Sequence, residues 1–367
     1  MSGRVVPQHE ATVPVTGLAE LQAHLAELHQ PGNESAPLDH KLFDDVELQL
    51  TPSNIPVIQP TLLPPLMSLL KTTTQDPTVV FTLTTKILSP LSFTQCLSLG
   101  GAGSLISALR SPLPGANLLA LNIIQKAATS PAEVDSLAAS PDLVEELLRT
   151  WLSSPDADVG GRATRVLGSL LETDCDIIPE TSATTNGVNG TGSSETELVK
   201  RHIPGHANLW RLVIWGRHYL EIIVSLCRPA IINRQATFAQ DRLLRVIPRL
   251  TALHPRAMAI SPFPELFPLP EYADDSIGHG LLQWAALSMV DTSDVLMHQT
   301  LIVFYESFVS IMRIAGESAD KDAVVRNVVK TATSQDQELL QSLKTLPDRT
   351  VQEEAEPLAK YISRVLD

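Results

Sequence analysis

The sequence of 367 residues carries 27 Lys and Arg against 41 Asp and Glu, a formal net charge of −14. That balance argues against a protein built to hold a nucleic-acid backbone, which needs a net cationic surface. Aromatic residues make up 4% and the apolar set 44%, a composition that favours helices over sheets and suits two or three globular domains or one continuous array.

Reading along the chain, Leu18, Leu21, Leu25 and Leu28 mark a short first helix that caps an array. Helical stripes follow in pairs across proline turns: Thr61 to Leu70 and Val79 to Leu88 around Asp76-Pro77, then Gly103 to Arg110 and Ala116 to Ala128 around Ser111-Pro112-Leu113-Pro114. A third pair joins Pro141 to Leu152 with the helix after Ser154-Pro155-Asp156. Here Ser154 is the expected cap and Pro155 the first helical position. Val159, Ala163, Leu167 and Leu170 recur on one face of that helix. The turn prolines Pro77, Pro114 and Pro155 stand 37 and 41 residues apart, the period of stacked helix pairs.

Residues 180–197 contain almost no large apolar side chain and cannot offset their chain entropy by burial, so they read as a mobile insertion. Helices resume with Leu209 to Cys227 and Gln235 to Leu253, the second kinked at Pro248. A Pro-rich link over 261–270 precedes helices at Gly278 to Met289 and Ser293 to Ile314, and amphipathic helices near Ala319 to Thr333, Gln335 to Leu343 and Glu353 to Leu366 close the chain. The fold expected is all-α, a HEAT/armadillo-like α-solenoid of stacked antiparallel helix pairs, with repeats over 1–172, a flexible insertion over 173–207 and further repeats over 208–367.

Chemistry is sparse. The three cysteines, Cys96, Cys175 and Cys227, are far apart with no Cys-x-x-Cys spacing, which argues against a disulfide framework or a zinc site and for a reducing compartment. No export signal is expected in Met1 to Glu20, and Leu209 to Cys227 carries too many charges to span a bilayer. The chain is expected in the cytoplasm, with the nucleus as a second compartment. Gly100-Gly101-Ala102-Gly103 reads as a turn between helices rather than a phosphate cradle, because it lacks a preceding strand and a basic residue. Asp174-Cys175-Asp176 has no His at catalytic spacing. His202 and His206 are separated by Pro204-Gly205, which breaks any shared helical face, and His254 reads as a cation at a helix C-terminus. No catalytic, cofactor or metal site is expected, and the chain does not read as an enzyme.

One charge pattern suggests a binding surface. Arg242, Arg245 and Arg249 fall opposite the stripe of Leu243, Leu244, Ile247 and Leu250, while Arg162 and Arg165 lie beside the stripe of Ala163, Val166 and Leu167. The second helices of a solenoid line its inner side, so these five arginines form a candidate basic strip for a carboxylate-bearing partner, with a solvated helix face as the plain alternative.

Several helix-packing motifs carry a resemblance. Asn208-Leu209-Trp210-Arg211 through Leu226-Cys227, Gln240-Asp241-Arg242-Leu243-Leu244-Arg245, Gly280-Leu281-Leu282-Gln283-Trp284-Ala285-Ala286-Leu287 and Asp294 through Arg313 resemble the 26S proteasome non-ATPase regulatory subunit 5 family. Its fungal members are also labelled as a mismatch-repair protein. The resemblance covers roughly 205–315 and implies a HEAT-repeat assembly chaperone of the proteasome regulatory particle base. Such a chaperone is a monomer that holds the C-terminal domain of an AAA ATPase subunit, is absent from the mature particle, and binds neither nucleic acid nor membrane. The alternative is a generic helical-repeat scaffold or adaptor, in transport or associated with mismatch repair. Against an importin-like adaptor, Trp151, Trp210, Trp215 and Trp284 lack the regular spacing of an inner-face ladder.

Overall fold

The computed structural model describes residues 14–30, 36–73, 75–177, 203–228, 234–316 and 318–367. Among these residues the protein is all-helical, with no strand, and its helices stack as an α-solenoid. The N-terminal part comprises α1 (Leu18–Leu28), α2 (His40–Leu48), α3 (Ile55–Thr72), α4 (Thr78–Leu88), α5 (Phe93–Leu109), α6 (Pro114–Gln125), α7 (Pro131–Ala138), α8 (Pro141–Ser153) and α9 (Ala157–Asp174). Beyond residues 178–202 come α10 (Asn208–Val213), α11 (Arg217–Cys227), α12 (Arg234–Leu253), α13 (Pro255–Ala259), α14 (Leu281–Leu287), α15 (Val295–Ile314), α16 (Ala319–Gln335), α17 (Gln337–Thr345) and α18 (Gln352–Leu366).

The expected pairs α3/α4, α5/α6 and α8/α9 pack together, and α4, α6, α9, α12, α15 and α17 each pack on the next as one continuous layer. The stripe read from sequence on α9 is buried throughout: Val159, Ala163, Leu167 and Leu170 expose 1% or less. One helix start differs from expectation. Asp156, not Ser154, caps α9, its carboxylate accepting the Val159 N–H at 2.9 Å, while Ser154 and Pro155 form the turn before it. An aspartate one residue before the helix offers both the acceptor and the negative charge favoured at that end. The Gly-rich stretch breaks α5 into two helical pieces at Gly101, whose φ of 69° suits only glycine comfortably.

A further boundary differs. Leu209 to Cys227 is two helices rather than one, because the chain turns over Ile214–Gly216 between α10 and α11. The helix α15 is long and apolar enough to cross a membrane by length and composition alone. It packs against α12, α16, α17 and α18 and buries Met297, Leu301, Phe304, Tyr305 and Phe308, so core packing accounts for one face. Its outer positions Leu296, Val303 and Ile314 are also apolar and stay exposed.

Residues 178–202, which hold most of the insertion and the whole 180–197 stretch, lie outside the described residues. Its flanks are ordered inside the 173–207 range assigned to it. The Gly205 N–H donates to the Cys175 carbonyl and the Ala207 N–H to the Asp174 carbonyl, both at 2.8 Å. Asp174, fully buried, then caps α10, its carboxylate accepting the N–H groups of Asn208 (3.2 Å), Leu209 (2.7 Å) and Trp210 (3.0 Å). Trp210 donates its indole N–H to the Leu171 carbonyl at 2.7 Å. The two halves of the array are thereby joined directly across the base of the insertion.

Candidate partner-binding face

The five arginines singled out from sequence lie on α9 and α12, which pack side by side, but they do not form one free strip. Arg242 is 6% exposed. Its guanidinium donates to the Trp151 carbonyl at 2.9 Å and the Asp156 carbonyl at 3.2 Å, satisfying the end of α8 and the turn into α9. Arg249 donates to the Glu172 carboxylate. Glycines make room for both: a Cβ on Gly160 would lie 2.1 Å from Arg242 Cζ, and one on Gly168 2.9 Å from an Arg249 Nη. The expectation that Arg242, Arg245 and Arg249 share one free helix face is corrected for Arg242 and Arg249, which act as clamps between α9 and α12.

Arg245 remains on the surface but is paired along its own helix with Asp241, Nε lying 3.0 Å from both carboxylate oxygens. A pair of this exposure adds little to stability and is readily exchanged for another partner. Arg162 and Arg165 differ from the other three. They are three residues apart on α9, Arg165 exposed and Arg162 half-buried, and neither has an ion-pair partner among the described residues. Arg162 Nε is buried without a hydrogen-bond partner. Burial, and then the like charge of Arg165, pull the Arg162 guanidinium pKa below its usual value. An arginine fork left without an acceptor beside a second cation is a ready receptor for a carboxylate.

The neighbouring α12 contributes Phe238, 47% exposed, with the Arg242 guanidinium 5.9 Å above its ring. Beyond α12 in the same layer, α15 adds the exposed Leu296, Val303 and Ile314. The layer thus offers two free cations on one helix and uncharged apolar positions on the next two. The sequence reading missed the apolar part, although Leu296, Val303 and Ile314 fall on a face of α15 that carries no charge, with Gln299 and Ser307 between them.

The remaining candidates take structural positions. The Asp174-Cys175-Asp176 triplet supplies the α10 cap and a buried thiol, Cys175 being fully buried. His206 lies 2.5 Å from Asp135, whereas His202 lies outside the described residues. His254 follows the end of α12 as expected, but instead of serving that terminus as a cation its Nδ1 accepts the Ala257 N–H at 3.3 Å and caps α13, and its ring sits 5.7 Å from both Trp210 and Trp215. Burial lowers its pKa, against the opposing pull of Asp176. Among the described residues no group of three His, Cys, Asp or Glu is placed to hold a metal ion.

Residues 22–160 match the family model described as the N-terminal domain of the DNA mismatch repair protein HSM3. The match runs from α1 to the first turn of α9. It thus covers the N-terminal pairs, while the resemblance read from motifs lies in the C-terminal half. No curated protein matches the chain.

Proposed function

We infer that this protein is an assembly chaperone of the proteasome regulatory particle base, holding the C-terminal domain of an AAA ATPase subunit on the α9–α12–α15 layer. The observation that carries this reading is the match of residues 22–160 to the HSM3 N-terminal domain, within an all-helical stacked array. The motif resemblance over roughly 205–315 adds the proteasome role. Stacked helix pairs present an extended surface suited to grasping another protein, and function on such a fold comes from what that surface carries. Here it carries Arg162 and Arg165 without acidic partners, in a chain whose net charge of −14 disfavours DNA as the ligand. In this reading the protein acts by binding rather than turnover, as a cytoplasmic monomer that also reaches the nucleus and leaves before the particle matures.

The test is binding of the purified chain to the isolated C-terminal domain of each base ATPase, compared with the Arg162→Glu/Arg165→Glu variant. One domain should bind, and the double reversal should weaken it by about tenfold or more, with loss of salt dependence. Binding to none of the domains, or recovery of mismatch-repair proteins alone from cells, would overturn the reading.

A further inference from the structure

The chain has six Ser-Pro pairs, and each lies in a turn at a helix boundary. What the serine hydroxyl does sets them apart. Those of Ser111, Ser130, Ser154 and Ser261 each accept a backbone N–H two or three residues further on and so hold their own turns. Ser140 is half-buried, with the acidic Asp142 and Glu145 just after it on α8. Ser89 differs from all of these. It is exposed, as is Pro90, and its hydroxyl has no hydrogen-bond partner among the described residues.

Two lysines meet at this serine. The 3-10 turn Lys126–Thr129 that follows α6 sends the Lys126 Nζ to the Ser89 and Leu91 carbonyls, each at 2.9 Å. An ammonium carries three donors, so one is left over. Lys86 stands three residues before Ser89 in the last turn of α4, on the same side of the helix. Neither lysine has an ion-pair partner among the described residues. The acid that α7 brings to the start of α5, Glu133, is already taken by the Thr94 N–H at 2.8 Å and the Thr94 hydroxyl at 3.0 Å. Ser89 itself is the C-cap of α4, an end that favours cations and repels an anion standing alone.

We propose that Ser89 is a phosphorylation site for a proline-directed kinase, and that Lys86 and Lys126 receive its phosphate. The kinase supplies ATP. Ser89 Oγ attacks the γ-phosphorus, the bond from that phosphorus to the β,γ-bridging oxygen breaks, ADP leaves, and the hydroxyl proton passes to the catalytic carboxylate of the kinase. The new group brings about two negative charges and three strong acceptor oxygens. Lys126 and Lys86 answer it from both sides, so the modification ties the end of α4 to the turn after α6, across two successive helix pairs. Without them the same charge would loosen the end of α4. The site does not depend on the chaperone reading.

The test is reaction of the purified full chain with ATP and a cyclin-dependent kinase, with the modified positions and their rates read by tandem mass spectrometry. Ser89 should take up phosphate faster than the serines of the other five pairs, and Ser89→Ala should remove that fast incorporation. Hydrogen exchange at the amides of residues 86–91 should slow by about threefold or more on phosphorylation. Lys86→Gln and, separately, Lys126→Gln should each reduce that slowing with an unchanged circular dichroism spectrum. Lys126 also holds two carbonyls, so Lys86→Gln carries the comparison should Lys126→Gln unfold. No phosphate on Ser89, incorporation there no faster than at the other five serines, or exchange that phosphorylation leaves unchanged would overturn the proposal.

Discussion

Arg242 occupies the space that a side chain on Gly160 would need: the missing Cβ would lie 2.1 Å from its Cζ, while its guanidinium holds two carbonyls at the α8–α9 turn. The two residues are therefore coupled in energy as well as in space. Gly160→Ala should destabilise the protein by about 1–3 kcal/mol, although alanine in a helix is intrinsically favoured over glycine by about 1 kcal/mol. Arg242→Ala should cost about 2–4 kcal/mol through lost hydrogen bonds and a cavity. In the Arg242→Ala background the sign at position 160 should reverse, and alanine should stabilise. A double-mutant cycle by urea unfolding measures this, and additive effects would show that the contact carries no energy.

Asp174 ties the two halves of the array together by accepting three backbone N–H groups at the start of α10 from a fully buried position. Burial pushes its carboxyl pKa up, while the three donors pull it down. Asp174→Ala leaves those donors unanswered and should cost about 2–4 kcal/mol, whereas Asp174→Asn keeps an acceptor and should cost less. Thermal unfolding should rank them wild type, Asn, Ala, and should show earlier hydrogen exchange in α10 and α11 for the alanine variant. Equal melting for all three would place the junction's strength elsewhere.

His254 provides a pH dependence with a definite sign. Its pKa is lowered in the folded state, chiefly by burial against Trp210 and Trp215. The unfolded chain therefore takes up the proton first as pH falls. The contribution of the neutral ring is complete above the ordinary histidine pKa of about 6.5 and is lost progressively below it. His254→Asn retains a capping acceptor without titrating there, so its unfolding midpoint should fall less steeply between about pH 7 and 5 than that of the wild type. Parallel slopes would assign the acid sensitivity to other groups.

Much of the array was legible because periodic burial leaves a direct trace. The Val159, Ala163 and Leu167 stripe and the proline-punctuated pairs around Pro77, Pro114 and Pro155 needed only helical geometry. The short helices α2 and α7, nine and eight residues long, were missed because so few turns give little periodicity. The arginines were harder. A helical wheel shows which way Arg242 and Arg249 point but not that a neighbouring helix lies there with a groove. The available signal was the pair Gly160 and Gly168, eight apart on α9, since small residues at that interval let another helix or its side chains come close. His254 was read only in part: it does follow the last residue of α12, as a histidine before a proline suggests, but the same residue also caps α13.

The paired hydrogen bonds from Gly205 to Cys175 and from Ala207 to Asp174 bring the two exits of the insertion side by side on the body. A chain segment tethered in this way can change length at a closure cost that grows only logarithmically, about 0.6 kcal/mol for each doubling. That junction is therefore a natural grafting point, where a fluorescent reporter or an affinity module with adjacent termini can replace residues 180–197 without altering the spacing of the helices on either side.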